Sequence, residues 1–130
     1  MAARTDRESE RLGIDVFVAA GVTAPVRLER VGHGTQVVTV VFGEFVRICI
    51  FPSVAGVARG YPPALVDLAS NTDSGWAPAR EFGADVRAAH HAEPELAPYT
   101  EAELSAALAE AIAFVRAGLE GCIADLPAVP

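Results

Sequence analysis

The sequence predicts an α+β fold, a two-layer sandwich in which helices pack on one face of an antiparallel sheet. Three observations predict it: an apolar stretch at residues 36–51 with a turn at its centre, a capped helix near the start and a longer capped helix near the end. A chain of 130 residues is long enough for one core and too short for two. We therefore expect a single domain over residues 1–130.

The first helix and the first strand have clear sequence signals. Thr5-Asp-Arg-Glu8 is a capping-box pattern, and apolar residues follow it at helical spacing as far as Gly21, which predicts a helix over residues 6–20 with Gly13 as its weak point. Residues 26–31 alternate between apolar and charged side chains. This alternation predicts a half-exposed edge strand.

Residues 36–51 predict a β-hairpin that is apolar on both faces. Gly43-Glu44 suits a two-residue type II′ turn, which pairs Phe42 with Phe45 and Val40 with Arg47. One face then carries Val37, Thr39, Val41, Val46, Ile48 and Ile50. The other face carries Val38, Val40, Phe42, Phe45, Cys49 and Phe51, interrupted by Gln36 and Arg47.

The middle of the chain is harder to assign. Residues 52–61 predict a loop, and Pro62-Pro63 predicts the start of a short helix over residues 63–70. Residues 76–92 predict either a second hairpin, with strands near 77–82 and 86–92, or a helix from Ala79 to His91 that is broken at Gly83. We favour the hairpin, because glycine costs a helix interior about 1 kcal/mol relative to alanine.

The end of the chain predicts a long amphipathic helix. Thr100-Glu-Ala-Glu103 is a second capping box, and apolar residues recur at steps of three and four as far as Cys122, so the helix should run from residue 101 to about 123. We expect the tail at 125–130 to be frayed. The predicted order of elements is α-β-β-β-α-β-β-α.

These elements cover only one face of the predicted sheet. The helices would pack on the face that carries Val37 and Ile48, so the aromatic face would stay exposed to water. Leaving several such side chains in water would forfeit several kcal/mol at about 25 cal/mol per Å². We therefore predict a partner-binding surface, used for a homodimer or for a protein or peptide client, that consists of Phe42, Phe45, Arg47 and Phe51.

Charge and cysteine content limit the classes of partner. The net charge of −7 and the lack of a basic cluster argue against binding to nucleic acid or to an anionic membrane surface. The charged first ten residues lack the apolar core of a signal peptide, and no run approaches the roughly 20 apolar residues of a membrane span. We expect a cytoplasmic protein in which Cys49 and Cys122 are reduced and packed.

The sequence contains no recognisable catalytic or metal-binding motif. GxGxxG, HExxH and GxSxG are all missing, and a Walker motif is excluded because the chain has no lysine. His90 and His91 are adjacent, so on a strand they would point to opposite faces and could not share a metal ion. We therefore predict no catalytic, cofactor-binding or metal-binding residues, no cofactor and no enzymatic activity.

The order of elements resembles the type III secretion chaperone-like fold, which YbjN-type bacterial sensory-transduction regulators share. The resemblance is carried by Leu65-Val-Asp-Leu-Ala-Ser-Asn71 as the middle helix, by Trp76, Phe82 and Val86-Arg-Ala-Ala89 as paired strands, and by residues 99–115 as the closing helix. It implies a small acidic cytoplasmic protein that is dimeric or binds peptides and has no enzymatic activity.

Three hypotheses follow from the sequence. The first is a protein-binding or chaperone-like module that acts as a homodimer. The second is a small ligand-binding domain or enzyme with a pocket between the sheet and the long helix, in which His33, Arg47 or His90 supplies polar groups. The third is an immunity or antitoxin-type binder whose acidic surface neutralises a basic toxin.

Overall fold

A five-stranded antiparallel sheet forms the centre of the protein. The computed structural model describes residues 4–70 and 75–121, the last four of these as backbone only. The strands are β1 (Val26–Val31), β2 (Thr35–Phe42), β3 (Val46–Ile50), β4 (Ala64–Ala69) and β5 (Trp76–Phe82). They lie side by side in chain order, so the sheet is a meander with β1 and β5 at its edges.

Four helices complete the described part of the chain, and they confirm the predicted α+β fold. They are α1 (Asp6–Ala19), α2 (Val54–Ala58), α3 (Ala84–Ala92) and α4 (Glu101–Gly121). Helices α1 and α4 contact each other and pack on one face of the sheet, which we call the inner face. The core between them and the sheet includes Val16, Phe17, Val38, Val40, Ile48, Ile50, Val66, Leu104, Leu108 and Ala111.

Both predicted capping boxes are present at the starts of the two long helices. The Thr5 hydroxyl accepts a hydrogen bond from the Glu8 backbone N–H at 3.1 Å, and the Glu8 carboxylate accepts one from the Thr5 N–H at 2.9 Å. Thr100 and Glu103 repeat the arrangement at 3.1 and 2.8 Å. The predicted helices at 6–20 and 101–123 are therefore confirmed as far as Gly121, and the tail lies outside the described residues.

Gly13 sets the close approach of α1 to the sheet. A Cβ atom at this position would lie 2.4 Å from Cγ2 of Val38 on β2. The residue that is a weak point for helix propensity is therefore the contact point that lets the α1 backbone rest on β2.

The predicted register of the hairpin is wrong by one residue. Its turn contains three residues, Gly43 to Phe45, so Phe42 pairs with Val46, Val41 with Arg47 and Val40 with Ile48. Because side chains alternate along a strand, this shift exchanges the faces of β3 relative to β2. It places Val46, Ile48 and Ile50 on the inner face and turns Arg47 away from the apolar core.

The predicted helix at 63–70 is also wrong, because these residues form strand β4. This strand lies between β3 and β5, and four of its six residues are buried. A short apolar run that is buried on both faces has no diagnostic period, so its pattern fits a strand or a helix equally well. The middle helix is instead α2, inside the segment that we expected to be a loop.

The prediction for residues 76–92 is half right. Strand β5 forms at Trp76–Phe82, but residues 84–92 form helix α3 rather than a second strand. Gly83 separates the two elements with a φ of +82°, a conformation that glycine adopts without steric cost. Gly83 lies between the end of β5 and the start of α3, so it does not lie inside either element.

Candidate functional site

The face of the sheet that points away from α1 and α4, which we call the outer face, is closed mainly by the chain's own side chains. Near the end of β3, Phe51 stacks on Tyr61 with ring centroids 4.5 Å apart and planes 7° from parallel. Gly56 of α2 lies against the same Phe51 side chain. A second buried cluster results, made of Val37, Cys49, Phe51 and Leu65 with Tyr61 and Val31 at its border.

The other half of the outer face holds an enclosed polar cluster around Arg47. Its Nε and Nη2 donate hydrogen bonds to Oδ2 of Asp67 at 3.0 and 2.6 Å, and its Nη1 lies 3.6 Å from Oε2 of Glu29. The guanidinium carbon is 4.8 Å from the centre of the Trp76 ring. Thr39 donates to the same Glu29 oxygen at 2.6 Å. Arg47 therefore finds both its carboxylate partner and its aromatic partner within its own chain.

Burial and charge determine the protonation states in this cluster. Burial disfavours the charged form of Arg47, but the neighbouring Cys49, Asp67 and Glu29 outweigh it, so the pKa of Arg47 is raised. Burial likewise raises the pKa of the Cys49 thiol strongly, even though Arg47 opposes the shift. Cys49 is therefore a protonated packing residue, as predicted, and its Sγ donates to Asp67 at 3.5 Å.

The structure does not bring the four predicted partner-binding residues onto one surface. Phe42 lies on the inner face beside the main core, and Phe45 packs against that core from the turn. Phe51 lies on the outer face, where it is 2% exposed. Arg47 lies on the outer face too, but it is held by Asp67. The shifted register separates residues that a two-residue turn would have placed side by side.

The polar residues suggested for a pocket under the long helix lie elsewhere. The space between α4 and the sheet is filled by buried apolar side chains. His33 is an exposed turn residue with a φ of 59°, and Arg47 lies on the opposite face of the sheet.

His90 is held by hydrogen bonds on both ring nitrogens. Nδ1 lies 3.0 Å from the carbonyl oxygen of Ala97, and Nε2 lies 2.8 Å from Glu103 Oε1. Burial raises the pKa of Glu103, but the Thr100 backbone N–H and His90 lower it more, so the net shift is downward. Glu103 thus caps α4 and anchors α3 at the same time.

The described residues contain neither a group of metal-binding side chains nor a helix suited to a membrane. Across residues 4–70 and 75–121, no three His, Cys, Asp or Glu side chains are grouped to hold a metal ion. No helix in this part of the chain is both long enough and apolar enough to cross a membrane. An open depression of about 480 Å³ on α1 is lined by Arg7, Glu10, Arg11, Ile14 and Asp15.

Three exposed apolar side chains lie on α1 and on the edge strand β1, and Ile14 is the one on α1 that lies toward β1, because it follows Glu10 by one turn and Glu10 accepts a hydrogen bond from Gln36, the β2 partner of Arg30. Val18 is 61% exposed, Leu28 is 47% exposed and Ile14 is 36% exposed. Leu28 is paired with Val38, the residue on which Gly13 rests, so Leu28 lies one strand beyond the point where α1 touches the sheet. Asp6 of α1 also forms an ion pair with Arg30 of β1 at 3.3 Å. We call Ile14, Leu28 and the outer edge of β1 the α1–β1 flank; Val18 lies on the solvent side of α1, away from its buried residues Val16 and Phe17.

Sequence reasoning missed this flank although a signal was present. Ile14 and Val18 are four residues apart and form a second apolar stripe on α1, beside the core stripe of Leu12 and Val16. Leu28 lies on the inner face opposite Val38, but β1 is the edge of the sheet, where α1 leaves Leu28 half exposed.

Comparisons with known proteins give no relative. No protein-family model, curated protein or solved structure matches this chain. The contacts and exposed surfaces described above are therefore the basis for a functional proposal.

Proposed function

We propose that this protein is a non-enzymatic protein-binding module of a chaperone-like or regulatory kind, and that it acts as a homodimer. The observation that carries the proposal is the α1–β1 flank, where the exposed apolar side chains Ile14 and Leu28 lie next to the outer edge of a strand. A sheet edge offers backbone hydrogen bonds, and adjacent apolar side chains supply the burial that an interface needs.

The way the buried polar groups are used supports binding rather than catalysis. Arg47 and Asp67 have side chains that are only 13% and 4% exposed, and they satisfy each other. His90 and Glu103 connect α3 to the cap of α4. A catalytic group must face a space that a substrate can enter, whereas these groups face each other.

The proposal moves the predicted interaction surface from the hairpin to the α1–β1 flank. A hairpin surface was expected because the second face of the sheet needed a cover, and Tyr61 and the Arg47 cluster supply most of that cover. The proposal does not rest on the resemblance to type III secretion chaperone-like proteins, because two of the segments that carry that resemblance have another structure: the expected middle helix is strand β4, and the expected last strand is helix α3. A cytoplasmic location belongs to the same hypothesis.

A site-specific photo-crosslinking experiment tests the binding function. The photoreactive residue p-benzoylphenylalanine is introduced in place of Ile14, and in a matched control in place of Leu96, which is equally exposed but lies outside the flank (36% and 37%). We expect irradiation of the producing cells to crosslink the Ile14 variant to protein, seen as a heavier band on a denaturing gel, and to leave the Leu96 variant uncrosslinked. Equal crosslinking of both variants, or none at position 14, would contradict the proposal.

A further inference from the structure

We propose that the partner of the α1–β1 flank is a second copy of this chain, joined by antiparallel pairing of the two β1 strands with Leu28 opposite Leu28. The inference rests on the proposed protein-binding function and names the partner and its register. Two five-stranded sheets would then form one continuous ten-stranded sheet, with both α1 helices on the same side.

The two edges of the sheet differ in their suitability for pairing. Strand β5 carries Pro78, which has no backbone N–H, and its pairing with β4 shifts between Val66 and Asp67. Strand β1 pairs with β2 in an unbroken register from Val26 to Val31. The regular edge is therefore β1, and within residues 4–70 and 75–121 no strand pairs with its second side.

Symmetry leaves few registers for a β1–β1 pair. Residues directly opposite each other on antiparallel strands point to the same face, so a two-fold pair must be centred on one residue that lies opposite its own copy. The four interior residues of β1 are Arg27, Leu28, Glu29 and Arg30. Centring the pair on any of the three charged residues places identical charges opposite each other, which destabilises a strand pair.

Among these four registers, only the pair centred on Leu28 avoids placing identical charges opposite each other. It places Leu28 against Leu28 on the inner face, and it places Arg27 opposite Glu29 of the second copy, twice by symmetry, on the outer face. The same three residues thus provide one apolar contact and two opposite-charge pairs. This charge pattern selects a self-complementary register.

The distribution of charge along the chain removes the main objection to self-association. The net charge of −7 would make two copies repel each other if it were spread evenly. Residues 4–31, which contain α1 and β1, hold five of the ten arginines and five of the seventeen acidic residues, so this segment is neutral. The whole net charge is therefore carried by the other residues of the chain.

Helix α1 would extend the apolar contact beyond the strand. Ile14 follows Gly13, which lies over Val38, and Val38 is the β2 partner of Leu28. In the dimer, the Ile14 and Leu28 side chains of both copies would border the same seam on the inner face. Apolar surface that is exposed to water in a single chain would then be buried between the two copies.

Cysteine scanning along β1 tests the register directly. Val26→Cys, Leu28→Cys and Arg30→Cys are each made in a Cys122→Ser background, in which the one native thiol is the buried Cys49. Opposite residues have Cβ atoms about 4.5–5.5 Å apart, close to disulfide geometry, whereas the two copies of residue 26 would be offset by about 13 Å. We expect a covalent dimer on a non-reducing gel for Leu28→Cys and not for the other two variants.

A mixing experiment tests the predicted charge pairs. Arg27→Glu alone and Glu29→Arg alone would each oppose like charges twice, so each variant should be at least tenfold more dissociated than wild type. Mixed in equal amounts, they should restore the dimer as a heterodimer, because the glutamate introduced at position 27 of one variant then meets the arginine introduced at position 29 of the other. Circular dichroism melts of each variant separate loss of pairing from loss of folding, since Glu29 also contacts Thr39 and Arg47 within its own chain.

The outcomes separate this inference from the proposed function. A Leu28-specific disulfide together with rescue on mixing supports the register. Equal or no crosslinking at the three cysteine positions overturns it. If Ile14 crosslinks only to a different protein and the wild type is a monomer, protein binding stands, whereas the homodimer and its β1 pairing are wrong, and the β1 charges would serve to protect a free edge. If Ile14 crosslinks to nothing, protein binding at the flank is wrong, and without a Leu28-specific disulfide the β1 pairing is wrong too.

Discussion

Arg47 and Asp67 show how one residue of register determines the chemistry of a sheet face. The predicted two-residue turn placed Arg47 among phenylalanines, where only a partner could supply a carboxylate. The actual three-residue turn places it opposite Asp67 of β4, to which it donates two hydrogen bonds. The sequence contained both residues, but it did not reveal that Asp67 lies on a strand, so their pairing could not be predicted.

Removing one partner of this buried pair should be costly. We expect Asp67→Ala to lower the free energy of unfolding by about 3–5 kcal/mol, because it leaves the Arg47 charge buried without its carboxylate. The control is Glu81→Ala, which removes the exposed partner of Arg87 and should cost less than about 1 kcal/mol. Urea denaturation followed by circular dichroism measures both, and equal losses would show that the Arg47 pair is not enclosed.

Glu103 should make stability depend on acidity. Its pKa is lowered in the folded protein, so its contribution is complete above the ordinary value of 4.5 and is lost as the pH falls through the lower folded value. We expect the difference in unfolding free energy between wild type and Glu103→Gln to shrink as the pH falls below 4.5. Glu110→Gln, on the exposed side of α4, controls for loss of a helix charge. A Glu103→Gln difference that stays constant on acidification would contradict this assignment.

At the scale of elements, the first and last helices were predictable from the sequence, whereas the elements in the middle of the chain were not. Both capping boxes are local signals, and each one specifies a helix start from four consecutive residues. Strand β4 has no such signal, because a central strand is apolar on both faces and its identity depends on the strands beside it. The sequence did not predict helix α3, because Gly83 suits a turn within a hairpin as well as the boundary between a strand and a helix.

The packing of α1 on β2 should not tolerate a methyl group at Gly13. Alanine favours a helix over glycine by about 1 kcal/mol, yet its Cβ would lie 2.4 Å from Val38 Cγ2. We expect Gly13→Ala to be destabilising by about 1–3 kcal/mol in urea denaturation. Val38→Ala should relieve the clash, so the double variant should lose less than the sum of the two single variants. Full additivity, or a more stable Gly13→Ala protein, would be evidence against the close contact.

At the scale of the whole molecule, the sequence correctly indicated a two-layer α+β sandwich but assigned the exposed apolar surface to the wrong place. The covering of the outer face by Tyr61 and by the Arg47 cluster depends on contacts between residues far apart in the chain. The α1–β1 flank is exposed because β1 is an edge strand of the sheet. Strand order cannot be predicted from a local sequence pattern. The proposed partner surface could therefore be identified only once the order of the strands in the sheet was known.

The most direct test of the account is the molar mass in solution of wild type and of Leu28→Glu, measured by sedimentation equilibrium with Leu96→Glu as the control. We predict twice the 13.6 kDa chain mass for wild type and for Leu96→Glu, and the single-chain mass for Leu28→Glu, which would place two carboxylates opposite each other at the centre of the seam. A wild-type protein of 13.6 kDa at every concentration, or a Leu28→Glu variant that remains dimeric, would contradict the account.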